Sequence, residues 1–381
     1  MQIFHNPLHP PFLRGIWLRH ICAMNNVLKM QLPAKKDLKF ALLGAGHHLC
    51  KLAQLLIERN FPKPVIVTHP KAQHERDRHL LKDSRIYTYL FDFANENKID
   101  VVESPVVNKS DLIEKLRNLG CNAAFSLSCR SIIKKDFIDS FERRVLNIHP
   151  SFLPKERGGG TFSWRIMNNQ KDVAATIHLV DEGIDTGPIV LQKEQQLDID
   201  FPTPEDFMIK TNELYGVLLK EFLEKIETGR PIHLQPQNEE FSTYLPRLFT
   251  EINGAINWDW MAEEIERFIR AFSYPYPGAF TFVNNKKVSI SEATCEKSNI
   301  YYHPYVSGRV SKVCPDGSIH IVAKNGIIKV KKLVIDDNMY NPASILKITD
   351  VFYTPGDVLS HARINTIGVK DMSSHIHKIK G

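Results

Sequence analysis

Three polar side chains of different chemical types stand near two strand-like segments of the sequence. Asn147 and His149 lie at the end of the apolar segment 145–149, which alternates as a strand does. Because they are two residues apart, both side chains leave the same face of that strand. Asp185 follows a second strand-like segment, 174–180, within a turn that contains glycine. An amide, an imidazole and a carboxylate can therefore meet where strands give way to loops, which is where open α/β sheets carry out chemistry.

This set of groups suits the addition of a nucleophile to a carbonyl carbon. Asn147 offers two uncharged N–H donors to a developing oxyanion. His149 can hold or release a proton near neutral pH. Asp185 can fix the imidazole tautomer and favour its protonated form, because a nearby opposite charge stabilises the charged state. A serine or cysteine nucleophile is unnecessary if the attacking group belongs to the substrate.

The order of motifs around these residues resembles that of the folate-dependent formyltransferases. This family includes methionyl-tRNA, glycinamide ribonucleotide and nucleotide-sugar N-formyltransferases. The similarity covers residues 38–355, and its ordered motifs are far more specific than a lone Gly-x-Gly pair. The motifs are Asn147-x-His149-x-Ser151-x-Leu153-Pro154, Arg157-Gly158, Trp164 and Asp181-x-Gly183-x-Asp185-x-Gly187.

The resemblance implies 10-formyltetrahydrofolate as the formyl donor, an amine as the acceptor, and Asn147, His149 and Asp185 as the catalytic residues. It also implies separate sets of residues for the folate and for the acceptor. No metal site is expected, because the sequence offers no cluster of soft or imidazole ligands. The residues expected at the folate are Arg130, Ser131, Ile132, Ile133, Ser151, Leu153, Pro154, Asp181 and Gly183. The residues expected at the acceptor are Gly44, Gly46, Arg157, Gly158, Gly159 and Gly160.

Two segments are interpreted from their composition as well. Three consecutive glycines, 158–160, lose much conformational entropy on folding, which indicates close backbone approach to another group, with a mobile linker as the alternative. Segment 71–79 mixes charges of both signs in a helix-like pattern. A solvated helix face is the favoured interpretation of that segment, and a phosphate-facing patch near the acceptor is the alternative.

Departures from the tRNA-directed enzymes narrow the identity of the amine. Those enzymes have Gly-Thr-Pro after the first strand, a basic glycine-rich loop, and later Arg-Gly-Ala-Ala-Pro. This chain instead has Gly44-Ala45-Gly46, the mixed-charge segment 71–79, and Arg157-Gly158-Gly159-Gly160-Thr161. These differences favour a nucleotide-linked amino sugar, with methionyl-tRNA as the alternative acceptor. The net charge of +6 does not decide, because both acceptors are anionic.

Three other functions compete for the same features. Gly44-Ala45-Gly46 precedes a helix as in dinucleotide-binding proteins, but Leu49 fills the position of the third glycine, which argues against NAD. A non-catalytic nucleotide- or RNA-binding module would use the C-terminal domain and have no use for the three polar residues. A metal-dependent hydrolase would need ligands such as His178, Asp181 and Asp185. No cluster of imidazole or thiolate ligands surrounds them, so His178 is interpreted as a partly buried strand residue.

The pattern of elements predicts an α/β protein with a Rossmann-like formyltransferase domain of mostly parallel strands, followed by a small OB-like antiparallel β-barrel. A strand, glycine turn, helix and second strand over residues 38–67 form a βαβ unit. Five short strands separated by turn residues over 279–333 indicate the barrel. The expected domains are a disordered or loosely packed extension (1–36), the catalytic domain (37–230), a linker (231–250), the OB-like domain (251–357) and a tail (358–381).

Length and composition agree with a two-domain globular enzyme. The chain has 381 residues, of which 43% are hydrophobic and 24% charged. Its six cysteines show no Cys-x-x-Cys spacing, so a disulfide framework is not expected. A reduced, cytoplasmic location is expected instead. No apolar run is long enough for a bilayer span, so no membrane partner is expected. The sequence leaves a homodimer open.

Overall fold

The structure, a computed structural model, describes residues 28–296 and 301–364 apart from 82, 83 and 85. The strands of its N-terminal part are β1 (Lys29–Met30), β2 (Phe40–Gly44), β3 (Val65–Thr68), β4 (Asp100–Glu103), β5 (Ala123–Leu127), β6 (Val145–His149), β7 (Arg157–Gly158), β8 (Asp172–Leu179) and β9 (Ile189–Gln196). Its helices are α1 (His47–Glu58), α2 (Lys71–Leu81), α3 (Leu90–Glu96), α4 (Ser110–Asn118), α5 (Lys135–Ser140), α6 (Thr161–Met167) and α7 (Pro204–Glu227).

Seven of these strands form one mostly parallel sheet, as predicted. Their spatial order is β4-β3-β2-β5-β6-β8-β9. Strands β2 to β6 pair in parallel, whereas β8 pairs antiparallel with β6 and with β9. Strands β2, β3 and β5 are buried at every residue, which is why each reads as a continuous apolar run. The carboxyl ends of β2, β5 and β6 therefore share one edge of the sheet, and their loops meet there.

Helix α7 covers the sheet and shows how local sequence sets an element's bounds. The Thr203 side chain accepts a hydrogen bond from the Asp206 N–H, and the Asp206 carboxylate accepts from the Thr203 N–H. Pro204 occupies the first helical position, where its missing N–H has no consequence. Apolar residues at helical spacing, among them Phe207 and Leu218, are fully buried. The helix packs against β8 and α1.

The C-terminal part is an antiparallel sheet, in agreement with the OB-like prediction. Its elements are α8 (Thr250–Asn253), α9 (Ala262–Ala271), β12 (Ala279–Val283), β13 (Lys286–Glu296), β14 (Val310–Val313), β15 (Ile319–Ala323), β16 (Gly326–Ile335), β17 (Asn338–Tyr340), β18 (Phe352–Tyr353) and α10 (Gly356–Ile364). The strand order is β14-β15-β16-β13-β12-β18, with β17 paired to β16. Asn284 and Asn285 both have positive φ, as the predicted tight turn between β12 and β13 requires.

One prediction at the ends of the chain needs correction. Residues 28–36 were expected to be disordered or loosely packed, but β1 pairs with β10 (Ile232–His233), and Met30 and Leu32 are buried. Part of the predicted tail forms α10, whose Ala362 carbonyl accepts a hydrogen bond from Asn253. Residues 1–27 and 365–381 lie outside the described residues. None of the described helices is both long and apolar enough to cross a bilayer.

The predicted linker is bonded closely to the catalytic domain. Residues 232–248, called the strap below, contain β10 and β11 (Tyr244–Leu245). Strand β11 pairs in parallel with β7, and the Trp164 indole donates a hydrogen bond to the Pro246 carbonyl. The strap therefore connects the two sheets and also forms part of the wall around the end of β6.

Candidate active site

The three predicted catalytic residues meet at the carboxyl end of β6. The Asn147 Nδ2 atom lies 3.4 Å from Asp185 Oδ1, and His149 Nδ1 lies 3.4 Å from Asp185 Oδ2. Asn147 and His149 extend from one face of β6, as their spacing predicts, and Asp185 reaches them from the loop after β8. The carboxylate thus stands between the amide and the imidazole.

The Asp185 carboxylate is contacted from several sides. The Gly158 N–H donates to its Oδ2 at 2.9 Å, and His178 Nε2 lies 3.5 Å from its Oδ1. Burial on its own raises the pKa of this carboxyl, but His149, His178 and the Gly158 N–H outweigh burial and lower the pKa well below its usual range. Asp185 is consequently ionised at neutral pH. Its φ of 54° is in the left-handed region, a conformation that surrounding contacts must maintain.

The His149 ring lies between two acceptors and is buried. Its Nε2 is 2.8 Å from the Glu156 carbonyl oxygen, and its Nδ1 faces the Asp185 carboxylate. A carbonyl oxygen and a carboxylate both accept, so only the doubly protonated ring donates to both. The arrangement thus provides a place for an imidazolium charge beside Asn147.

His178, interpreted from the sequence as an ordinary strand residue, orients the Asn147 amide. Its Nδ1 is 2.8 Å from the Leu179 carbonyl oxygen and therefore carries a proton, which leaves Nε2 free to accept. Asn147 Nδ2 lies 3.1 Å from that Nε2. Because Asp185 also only accepts, the NH₂ edge of the Asn147 amide is the edge that faces both groups. The β6–β8 register, which pairs position 147 with 178, creates this contact.

Two cavities meet at these residues. The smaller, of about 210 Å³, is lined by six of the predicted folate-binding residues, namely Arg130, Ser131, Ile132, Ile133, Asp181 and Gly183. The larger, of about 610 Å³, lies between the end of β2, α2 and α7. Asn147, Gly158 and Asp185 line both cavities. A carbon atom at the junction is thus accessible from two sides.

Three predicted folate-binding residues line neither cavity. Ser151 is fully buried, and its hydroxyl donates to the Lys155 carbonyl at 2.7 Å. Leu153 is 1% exposed, and its N–H is 3.3 Å from the Thr176 hydroxyl. Pro154 gives its carbonyl to the Thr243 N–H of the strap. These residues shape the loop after β6 from within, so the structure does not support direct contact between their side chains and a ligand.

The predicted acceptor-binding glycines are explained mainly by contacts within the protein. A Cβ on Gly44 would lie 2.0 Å from the Leu127 carbonyl, so this glycine permits the close approach of β2 and β5. A Cβ on Gly158 would lie 2.3 Å from the Leu245 carbonyl of the strap. Gly159 and Gly160 also face the strap, at Arg247 and Leu248. The expected close backbone approach exists, but the approaching group is the chain itself.

Three of the predicted acceptor-binding residues line a cavity, and Arg157 does not. Gly46 lines the larger cavity, Gly158 lines both, and Gly159 lines the smaller one. The Arg157 side chain is 7% exposed and points to Gln237 and Glu239 of the strap, so the predicted contact between Arg157 and substrate is not supported. Its guanidinium makes four hydrogen bonds to these two partners.

Segment 71–79 contributes to the larger cavity, contrary to the favoured interpretation of a solvated face. His74 and Asp77 of α2 line that cavity. Asp77 accepts a hydrogen bond from Arg130 at 2.7 Å, and the His74 ring stacks on His69 with centroids 3.9 Å apart. Burial, followed by the positive charge of Arg130, lowers the pKa of His69 to about 3. Within this segment Asp77 is therefore paired with Arg130, and burial lowers the pKa of His74 below its usual value.

Several other residues of the site carried no signal in the sequence. Tyr244 and Arg247 of the strap line the smaller cavity, and Arg247 lines the larger one too. Both lie within the segment that the sequence predicts to be a linker. Within the described ranges, no three His, Cys, Asp or Glu side chains are grouped as a metal ion would require.

Comparison with known proteins identifies the family. A family model described as formyl transferase matches residues 38–221, and one described as the formyl transferase C-terminal domain matches residues 249–348. The chain belongs to the formyltransferase family. The protein is therefore an enzyme of formyl transfer, and the alternative of a non-catalytic binding module is wrong.

Relatives of this formyltransferase act on different acceptors. It is similar to the methionyl-tRNA formyltransferase of Ruminiclostridium cellulolyticum, with 26% identity over 301 residues that cover 79% of this chain and 93% of that protein. Its fold matches a sugar 3-N-formyltransferase solved in the presence of dTDP and 5-N-formyl-THF (TM-score 0.56, 24% identity, 77% of this chain and 97% of the other). Its fold also matches the Helicobacter canadensis N-formyltransferase in complex with folinic acid and dTDP-3-aminofucose. The TM-score is 0.58 and the identity 22%, and the match covers 77% of this chain and 98% of the other.

Proposed function

We propose that this formyltransferase transfers the formyl group of 10-formyltetrahydrofolate to the primary amine of a nucleotide-linked amino sugar. The observation that carries the proposal is the junction of two cavities at Asn147 and Asp185. A formyl carbon at this junction can be brought by a donor in the smaller cavity and reached by an amine in the larger one. Asn147, His149 and Asp185 are the proposed catalytic residues.

The smaller cavity suits the pterin end of the folate. Its walls combine apolar side chains, including Ile132, Ile133 and Val180, with the polar residues Asp181 and Asp185. Apolar walls with a few directed polar groups are typical of small-molecule sites. The solved structures of similar fold contain 5-N-formyl-THF or folinic acid, which supports a reduced folate as the donor here.

In the proposed reaction the neutral amine attacks the formyl carbon. A new C–N bond forms, the carbonyl oxygen becomes an oxyanion, and the C–N bond to the folate then breaks. Asn147 Nδ2 faces His178 and Asp185, and in this scheme one of its two N–H groups donates to the oxyanion. A donor in such a position contributes on the order of 10²–10³ in rate. The amine loses one proton and the departing folate nitrogen gains one, so no net proton source is required.

His149 and Asp185 act mainly through their charges in this scheme. The lowered pKa makes the Asp185 carboxylate a weak base, which favours attraction of the positive charge that develops on the amine. Asp185 also stabilises a protonated His149, whose positive charge lies beside the oxyanion. As the intermediate collapses, the proton passes from the amine to the departing folate nitrogen with the help of Asp185, directly or through a water molecule.

The proposed acceptor is supported by the larger cavity and by the differences between this sequence and those of the tRNA-directed enzymes. A volume of about 610 Å³ lies within the range of small-molecule sites, and Tyr87, Tyr215 and Tyr276 line it. Aromatic rings of this kind suit a nucleotide base or a sugar face. Methionyl-tRNA is the second candidate, because relatives by sequence such as the R. cellulolyticum protein are methionyl-tRNA formyltransferases.

The test is an assay of the full-length protein with 10-formyltetrahydrofolate and a panel of acceptors. The panel contains dTDP-, UDP- and GDP-linked amino sugars and methionyl-tRNA, and mass spectrometry detects the formylated product. Formylation of a nucleotide sugar supports the proposal, and formylation of methionyl-tRNA alone selects the second candidate. His149→Ala should bind a stable folate analogue and lose turnover. Near-normal turnover of this variant contradicts the scheme.

The same assay distinguishes the proposed formyl transfer from the activity of a metal-dependent hydrolase. Release of formate that stops on addition of a chelator would favour hydrolysis. Transfer that continues with the chelator present would favour the direct attack proposed here.

A further inference from the structure

Gln237 of the strap connects the two loops that surround the proposed catalytic residues. Its side-chain Nε2 donates to the Asp185 carbonyl at 2.8 Å and to the Gly187 carbonyl at 2.7 Å. Its Oε1 accepts from Arg157, from Nε at 3.1 Å and from a terminal nitrogen at 2.7 Å. Its two N–H groups and the two lone pairs of its oxygen are therefore all directed at active-site loops.

Arg157 extends the connection along the strap. Its guanidinium binds the Glu239 carboxylate with two contacts of 2.9 Å, the bidentate arrangement that fixes orientation as well as distance. Its backbone N–H donates to the Thr243 carbonyl at 2.9 Å. The loop after β6 is therefore attached to the strap through both the side chain and the backbone of one residue.

These attachments converge on Asp185 from two directions. Gln237 binds its carbonyl oxygen, while the Gly158 N–H, adjacent to Arg157, binds its carboxylate. Asp185 has a φ of 54°, a backbone conformation that is sparsely populated unless neighbouring contacts enforce it. The Gln237 amide supplies such a contact at the strained residue itself.

We infer that Gln237 is a positioning residue for formyl transfer, acting through Asp185. It lines neither cavity, so its expected effect on the reaction passes through Asp185. Its function is to hold the Asp185 backbone and the Arg157–Gly158 segment at one separation, so that the carboxylate stays between Asn147 and His149. Because a displacement of about 1 Å at a reacting centre can lower a rate by about 100-fold, loss of this contact should be visible in turnover.

The inference rests on the proposed function, and steady-state kinetics of the full-length enzyme test it. Gln237→Met keeps the side-chain length and removes both the donor and the acceptor. We expect kcat to fall by about 10- to 100-fold, with the KM for the folate changed by less than about threefold. Asn238→Ala is the matched control, because the Asn238 side chain accepts from the N–H of Glu240 within its own turn. This control should retain the kinetics of the wild type.

A double-mutant cycle with Asp185→Asn separates positioning from general stabilisation. If Gln237 acts through Asp185, Gln237→Met should change the residual activity of Asp185→Asn by less than about threefold. An equal loss in both backgrounds, or kcat of Gln237→Met like that of Asn238→Ala, would overturn the inference. Absence of transfer by the wild-type enzyme with every acceptor would instead refute the proposed function.

A second variant covers the case in which Gln237→Met folds poorly. Gln237→Glu keeps the acceptor for Arg157 and replaces the two donated hydrogen bonds by a carboxylate facing two carbonyl oxygens. The same fall in kcat is expected when the variant is assayed below its melting transition, where it is folded. Wild-type kcat in a folded Gln237→Glu variant would overturn the positioning role.

Discussion

Replacing Asp185 by asparagine removes the one negative charge that stands between Asn147 and His149. The side chain keeps its size, and one oxygen can still accept from the Gly158 N–H. The amide nitrogen of the new residue then faces the NH₂ edge of Asn147, which forces one of the two amides to rotate. Both the charge next to His149 and the direction of the Asn147 donor are lost together.

The magnitude can be worked from the distance between the two charges. At 3.4 Å and an effective dielectric constant of about 20, the attraction between the Asp185 carboxylate and an imidazolium at His149 is about 5 kcal/mol. A change of 1.36 kcal/mol in activation free energy is about tenfold in rate. If about 3–5 kcal/mol of this attraction is gained only in the transition state, Asp185→Asn should lower kcat by about 10²–10⁴, the range also expected for a lost acid–base group.

The assay measures kcat and both KM values with the accepted amine, and folate affinity by calorimetry with 5-formyltetrahydrofolate. Glu182→Gln is the matched control, because Glu182 lies in the same loop, undergoes the same change of charge and interacts at 3.5 Å with Arg143. We expect the control to behave as the wild type and the folate affinity of Asp185→Asn to change by a few-fold. A kcat of Asp185→Asn within about threefold of the control would refute the electrostatic reasoning.

Three further predictions concern single residues. Asn147→Ala should lower kcat by about 10²–10³ with folate binding retained in calorimetry, and full activity would contradict its role as oxyanion donor. Gly216→Ala should raise the free energy of unfolding in urea by about 0.5–1 kcal/mol, because Gly216 is within α7 and a Cβ there meets no atom within 4 Å; a loss of stability would show an unrecognised contact. His69 is buried with its pKa lowered to about 3, so below pH 6.5 the unfolded chain binds a proton that the folded one does not. The free energy of unfolding should therefore decrease by up to about 1.4 kcal/mol for each unit by which the pH is lowered between about 6.5 and 3. His69→Phe should flatten this slope in melting curves recorded at several pH values. An unchanged slope would exclude His69 as its source.

Local patterns in the sequence determined many elements and the chemistry of the site. The alternation that ends at His149 gave the bounds of β6, and the spacing of Asn147 and His149 placed both side chains on one face. The Thr203-Pro204 start and the glycine stop of α7 were also readable, because capping involves residues only a few positions apart. The apolar runs of β2 and β5 predicted buried parallel strands. Such features depend on neighbours along the chain.

The tertiary structure alone decided which groups support the site. The contact between Asn147 and His178 depends on the register of two antiparallel strands, and 31 positions separate the residues. Arg157 binds Gln237 and Glu239, which are 80 and 82 positions away in a segment that reads as a linker. No local periodicity encodes a pairing across such distances. The sequence therefore supplied the amide, the imidazole and the carboxylate, whereas long-range packing determined what holds them in place.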